Sequence, residues 1–378
     1  MIRHVFAVLL AVLAGVISAA EAPPQPATPG AAPPQLAAPK VVRIGVASPA
    51  VGNPPVYTTG SLGLARYKGW IEEELKGSGT QVQWFFFKGA GPAVNEALTN
   101  KQLDLVFQGD LPAIMARAAG LKTRLVLPVS IRSNVYLLVP PDSPIRGIAD
   151  LKGKRVSIFR GTNAHLPVNR ILSAHGLSER DLRAINFDNA SAQAALTTRD
   201  IDAAFLGVES LKLVEQGVAR IAYSTQGGPA VLTRQSALLA SDDFAARHPD
   251  TVRRVVRGVV RAAYWASDDT HRAEVFKVWS LMGYPLSSFE TDYRGQSVKA
   301  RVSPLFDPFL VGRYQDAVSG AQQFRLARGK VDVAAWIDRR FVDAVLKELK
   351  LEHYWTPLDA QGRPIGRIGL TTRSASAR

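Results

Sequence analysis

Residues Gly161-Thr162-Asn163-Ala164-His165 combine a permissive glycine with three side chains able to donate hydrogen bonds. A glycine lets backbone approach a ligand closely. A helix predicted over Leu166 to Ala174 and closed by Gly176 follows at once. The start of a helix carries unpaired N–H groups and a partial positive charge, so such a loop can cradle a small anion without a lysine. Capping of that helix by Thr162 or Asn163 is the competing reading of the same residues. Covalent chemistry has less to build on. The chain has no cysteine, which removes thiol nucleophiles, disulfides and cysteine-ligated metal. It contains no G-x-S-x-G or H-E-x-x-H, and its six histidines fall in no metal-ligand spacing. We therefore expect no catalytic residue, no metal and no cofactor.

The loops that hold such residues follow from the pattern of elements. Val41 to Ala47 reads as a strand, Val82, Trp84 and Phe86 alternate at strand period, and Leu103 to Phe107 is a third apolar strand. Gly89-Ala90-Gly91-Pro92 opens a helix, and Gly109-Asp110 leads into another over Leu111 to Ala119, stopped by Gly120. Val135 to Val139, Lys154 to Phe159 and Ile201 to Leu206 read as further strands, and Ser178 and Asp181 have capping-box spacing. Ala237 to Ala240 is a short run able to lead the chain back to its first half. This alternation indicates parallel sheets with helical crossovers. Ligands on such sheets bind beyond the carboxyl ends of the strands. Three loops qualify: Ala47 to Pro54 with Asn53, Gly109-Asp110, and Gly161 to His165. From Asp242 onward the chain reads as helical. Thr251 to Ala266 puts valines on one face and Arg253, Arg257 and Arg261 on the other, a stripe fit for an acidic partner or for solvent. Trp336, Phe341, Val345 and Leu349 are read as one last amphipathic helix.

Composition bounds the rest. Of 378 residues 47% are apolar and 21% charged, the proportions of a chain able to bury a core. The net charge of +14 makes nucleic acid a first guess, but the basic residues are dispersed and form no run with interleaved aromatics. We expect no nucleic-acid partner. Arg3, the apolar run Val5 to Ile17 and Ser18-Ala19-Ala20 read as a signal peptide over 1–20, with an uncleaved anchor as the alternative. Residues 21–40 are an Ala/Pro-rich linker.

Several stretches together resemble a known family. IRSNVYLLVPPDSPIRGIADLKGKRVSIFRGTNAH and FKGAGPAVNEALTNKQLDLVFQGDLPAIMARAAG are similar to the two lobe cores of periplasmic aliphatic sulfonate-, taurine- and nitrate-binding proteins of ABC importers. SLGLARYKGWIEEELK and VDVAAWIDRRFVDAVLKELK match the opening and closing helices more loosely. The resemblance covers about Val41 to Leu351. It implies a type II periplasmic-binding fold, in which two α/β lobes joined by two crossing strands close on a ligand. Lobe one would comprise 41–130 plus 241–350 and lobe two 131–240, leaving 351–378 as a C-terminal tail. It implies a periplasmic, monomeric binding protein that hands a small anionic or zwitterionic solute to an ABC permease. By the same resemblance Gly161, Thr162, Asn163 and His165 bind ligand. Gly109-Asp110 matches the family's Gly-Asp turn, where Asp110 either touches ligand or caps its helix. Asn53 lies in a loop whose Asn-Pro-Pro departs from the family pattern. Glu209 stands where relatives carry an aromatic and an Asp-Pro. Acids at 110 and 209 would suit a ligand with an anionic head and a cationic tail. An enzyme or a ligand-sensing module on the same scaffold is the alternative; a desulfinase of this fold would need the cysteine that is missing here.

Overall fold

The computed structural model describes residues 37–50 and 59–365. The expected signal peptide, most of the linker, Asn53 and the last residues of the tail lie outside them. Among the described residues ten strands build two five-stranded sheets. They are β1 (Val41–Val46), β2 (Gln81–Phe86), β3 (Leu105–Gly109), β4 (Thr123–Ser133), β5 (Tyr136–Val139), β6 (Arg155–Ser157), β7 (Arg183–Ile185), β8 (Ala203–Leu206), β9 (Arg220–Ser224) and β10 (Arg234–Ser241).

The first sheet has the order β2-β1-β3-β10-β4 and the second β7-β6-β8-β5-β9. Within each, three strands run parallel and are linked by helices, as apolar strands covered on both faces require. The sheets are mixed rather than purely parallel. β10 runs antiparallel to β3 and β4, and β5 antiparallel to β8 and β9. The cause is the connection: the chain leaves the first sheet through β4, passes directly into β5, and returns through β10. The two crossings lie side by side, with Arg234 opposite Ser133. One apolar core fills the first lobe, and two smaller clusters cover the two faces of the second sheet.

The helices after residue 241 pack on the first lobe. Pro249–Ala266 buries Val252, Val255, Val256, Val259 and Val260. Its arginine face is part-exposed and ion-paired within the chain. Arg253 pairs with Asp250 and Glu348, Arg257 with Glu74 and Glu348, and Arg261 with Glu73 and Glu74. Gly258 permits this docking, since a Cβ there would sit 3.0 Å from the backbone of Trp70 and Ile71. The expected single closing helix is two, Val333–Trp336 and Arg340–Glu348. Between them Ile337 is extended and bridges Leu125 at the edge of β4, and the Asp338 N–H donates to the Leu125 carbonyl. Pairing with the sheet edge outcompetes continuation of the helix. Beyond residue 350 the chain stays packed: Leu351 and Trp355 are buried, and the Phe309 N–H donates to the Leu358 carbonyl. No helix among the described residues is long and apolar enough to cross a membrane.

Candidate functional site

A cleft of about 830 Å³ opens between the two sheets, walled by loops at the carboxyl ends of their parallel strands. From the first lobe come Ala47 and Ser48 after β1, Lys88, Ala90 and Gly91 after β2, and Gly109 at the end of β3. From the second come Thr162, Asn163 and Ala164 after β6, Asp188, Asn189 and Ala190 after β7, and Glu209 and Lys212 after β8. The crossing strands add Ser130, Ser133, Arg234 and Ser236. A late segment of the chain adds Tyr284, Asp292 and Arg301.

Four helices of nine or ten residues begin at this cleft: Ala90–Thr99, Asp110–Ala118, His165–Ala174 and Asn189–Thr197. Their dipoles favour an anion, but few of their N–H groups are open: those of Ala90 and His165 donate to the Phe87 and Thr162 carbonyls, Pro92 and Pro167 have none, and the Ser191 N–H is taken by Asp188. The second of them offers little. Asp110 Oδ1 accepts the Leu111 N–H at 2.8 Å, Oδ2 accepts the Gln235 N–H at 3.3 Å, and Pro112 has no N–H.

The sequence-derived site residues divide accordingly. Gly109, Thr162, Asn163 and Glu209 line the cleft; Asp110, Gly161 and His165 do not. Gly109 lets the lobes approach closely, since a Cβ there would lie 2.2 Å from Asn163 Cβ. Asp110 is buried behind the cleft as a helix-terminal acceptor, and burial pushes its carboxyl up to about 7 against those two donors. Gly161 has φ +73°, a conformation other residues rarely adopt, and its N–H donates to His165 Nδ1 at 3.2 Å. His165 Nε2 therefore carries the proton and meets Glu179 Oε1 at 2.5 Å. Partial burial opposes ionisation of Glu179, but hydrogen bonds from His165, Asn169 and Arg160 outweigh it and hold the carboxyl down at about 2. Gly161 and His165 thus shape the loop from behind. Thr162 Oγ1 donates to the Phe159 carbonyl at 2.7 Å, so its proton is engaged within the loop. Asn163 Nδ2 meets Ser236 Oγ only at 3.4 Å, a long contact that leaves the amide able to serve a ligand.

Apart from Glu209, sequence reasoning missed the charged residues of the cleft. Lys88 reaches Asp188 across it at 3.4 Å. Asp188 also caps Asn189–Thr197 by accepting the Ser191 N–H at 2.8 Å, a spacing visible in the sequence. Arg301 and Asp292 form a buried pair at 2.6 Å. Asn134 Nδ2 and Tyr136 Oη also donate to Asp292 Oδ1, at 2.9 and 2.7 Å. No local pattern announces this cluster, since Asn134 and Tyr136 lie more than 150 residues from Asp292 in sequence. Lining side chains comprise four bases (Lys88, Lys212, Arg234, Arg301) and three acids (Asp188, Glu209, Asp292), a balance of +1.

Two α/β lobes, two crossing strands and a polar cleft at the switch between sheets define a two-lobed ligand-binding protein of the type II periplasmic-binding fold. A family model, NMT1/THI5 like, matches residues 62–273, and the chain belongs to this family. Among solved structures, the periplasmic sulfonate-binding protein SsuA from Methylobacillus flagellatus KT is 33% identical with a TM-score of 0.73, covering 84% of this chain and 97% of that one. The alkanesulfonate-binding protein SsuA from Xanthomonas axonopodis pv. citri, bound to MOPS, is 28% identical with a TM-score of 0.67, covering 80% of this chain and all of that one (100%). A protein of Escherichia coli K12 named for aliphatic sulfonate binding is 34% identical over 149 residues, 39% of this chain; the match spans 46% of that relative, about half its length. The desulfurization enzyme DSZB shares the fold at 17% identity and a TM-score of 0.64.

Proposed function

We propose that this protein is an extracytoplasmic solute-binding protein that captures a small sulfonate in the interlobe cleft and delivers it to the permease of an ABC importer. The observation that carries the reading is the convergence of helix starts at Ala90, Ala164 and Asn189 on one cleft with an excess of basic side chains. A sulfonate has three acceptor oxygens and stays ionised at any physiological pH. The helix dipoles, the basic side chains and the Asn163 amide suit it without proton transfer. The relatives named for sulfonate and taurine binding support the same choice of head group. The sequence has no cysteine, so a thiol nucleophile is absent, and on our reading the ligand leaves unchanged. We take the protein to work in the periplasm as a monomer, with its surface charge serving no nucleic acid.

The test is calorimetric titration of purified protein with ethanesulfonate, MOPS, taurine and nitrate. At least one sulfonate is expected to bind and, at a hundredfold excess over its dissociation constant, to add about 2.7 kcal/mol of stability. Asn163→Ala is expected to weaken every sulfonate by about 1.5–3 kcal/mol, one hydrogen bond to a charged group. No heat and no melting shift from the whole panel would sink the reading.

A further inference from the structure

The proposed sulfonate site uses the helix starts, and leaves Glu209, Arg234 and Lys212 of the same cleft without a role, of which the first two come together about one backbone position. Glu209 is 8% exposed, yet it borders the cleft. Its Oε1 accepts the Gly207 N–H at 2.8 Å, while Oε2 accepts no hydrogen bond among the described residues. Arg234, on the returning strand β10, donates from Nη2 to the Asn134 carbonyl at 2.7 Å. Its Nε finds no acceptor. The two side chains flank Gly207: Arg234 Nη2 and Glu209 Oε2 each lie 2.5 Å from the position a Cβ would take there. The Gly207 backbone, φ −109° and ψ −160°, is one that any residue adopts. Glycine at this position therefore serves the space between the charges, not the turn. Despite that proximity no ion pair joins the two side chains. Holding a buried acid beside a half-buried base with no ion pair between them is costly unless a third group completes them.

Resting on the sulfonate reading above, we propose that Arg234 and Glu209 form a second subsite for the ammonium-carboxylate group of an amino acid, making the preferred ligand a sulfonated α-amino acid. A lone ammonium, as in taurine, would meet Glu209 but face the Arg234 guanidinium. A lone carboxylate would meet Arg234 but face Glu209. A group carrying both charges on one carbon satisfies both, because Arg234 takes the carboxylate and Glu209 the ammonium. The charges also balance. A sulfonated α-amino acid is a net monoanion at neutral pH, and the lining carries +1. Tyr284, whose phenol is pushed up by burial and by the nearby Glu209 carboxylate, walls this end of the cleft.

Four probes of one head group separate the terms: cysteate, taurine (no carboxylate), 3-sulfopropanoate (no ammonium) and ethanesulfonate (neither). Cysteate is expected to bind at least tenfold more tightly than each of the others, the order of one charged hydrogen-bonding contact. Arg234→Met should bring the cysteate-to-taurine affinity ratio to within about threefold of one, and Glu209→Gln should do the same for cysteate against 3-sulfopropanoate. Gly207→Ala, which fills the gap while keeping both charges, should shrink both ratios and guards against misfolding of a charge variant. Circular dichroism and melting confirm that each variant is folded. If ethanesulfonate binds and cysteate gains nothing over taurine and 3-sulfopropanoate, the second subsite is overturned and the sulfonate reading stands. Ratios unchanged in all three folded variants overturn it equally. If no sulfonate binds at all, the function proposed above falls and this inference with it.

Discussion

Asp110 and Glu179 are carboxyls whose surroundings push them in opposite directions. Asp110, moved up to about 7 by burial, binds more protons in the folded than in the unfolded chain between about pH 4 and pH 7. It therefore costs stability progressively as pH rises through that window. Glu179, held at about 2, binds fewer protons when folded, so its contribution is complete above about pH 4.5 and is lost as pH falls toward 2. The expected melting profile has Asp110→Asn flattening the decline between pH 4 and 7, and Glu179→Gln flattening the acid limb; unchanged profiles in both would refute the assignment. These two residues also mark what the sequence discloses at this scale. The run 161–165 is legible as a tight loop at a helix start, because glycine and capping side chains act locally. Which of its members faces the cleft is not legible. That depends on Glu179, which draws His165 inward, and on the Phe159 carbonyl, which engages Thr162.

At the scale of elements, the helix Asn189–Thr197 shows how a functional piece can escape a periodicity search. Its sequence, NASAQAALT, is mostly small residues and has hardly any apolar stripe. Its one clear signal is the cap, Asp188. Asp188→Ala is expected to cost about 1 kcal/mol of stability through the lost cap. It also releases Lys88 from its contact at the cleft mouth, an exposed pair that adds little on its own. Denaturant unfolding of Asp188→Ala and Asp188→Ser separates the two effects: serine should restore the cap and most of the stability, and a serine variant as unstable as alanine would show that the charge matters instead. Strand β4 was hidden for a different reason. Pro128 interrupts TRLVLPVSIRS, and a proline argues against a central strand. β4 is an edge strand, and Pro128 falls at a register shift opposite Ala237, where a missing N–H is tolerated. By contrast Pro249–Ala266 was plain, since five valines at helical spacing leave one answer.

On the scale of the whole molecule, the two lobes are tied together by a cluster that belongs to neither sheet alone. Asp292 is 1% exposed and accepts from Arg301, from Asn134 on the first crossing, and from Tyr136 on β5 of the second lobe. Burial opposes its ionisation, but Arg301, Tyr136 and Asn134 together hold its carboxyl below the usual range. Gln226, on the returning connection, donates to the Thr291 and Asp292 carbonyls at 2.7 and 3.3 Å. One short segment of the late chain thus grips both crossings and the second sheet, beside the cleft that Arg301 and Asp292 help to wall. Removing one member of a buried charge pair leaves the other uncompensated, so Asp292→Asn is expected to cost about 3–5 kcal/mol. Arg301→Met should be similarly damaging, because it strands Asp292. If the pair acts as a unit, the double variant must be less damaged than the sum of the two, by about 1 kcal/mol or more. Strictly additive losses in a denaturation cycle would show that the residues stabilise the fold separately. Coupling in that cycle, joined to a change in the solution-scattering radius of the ligand-free double variant, would place the control of lobe geometry at Asp292, more than 150 residues along the chain from the crossing it holds.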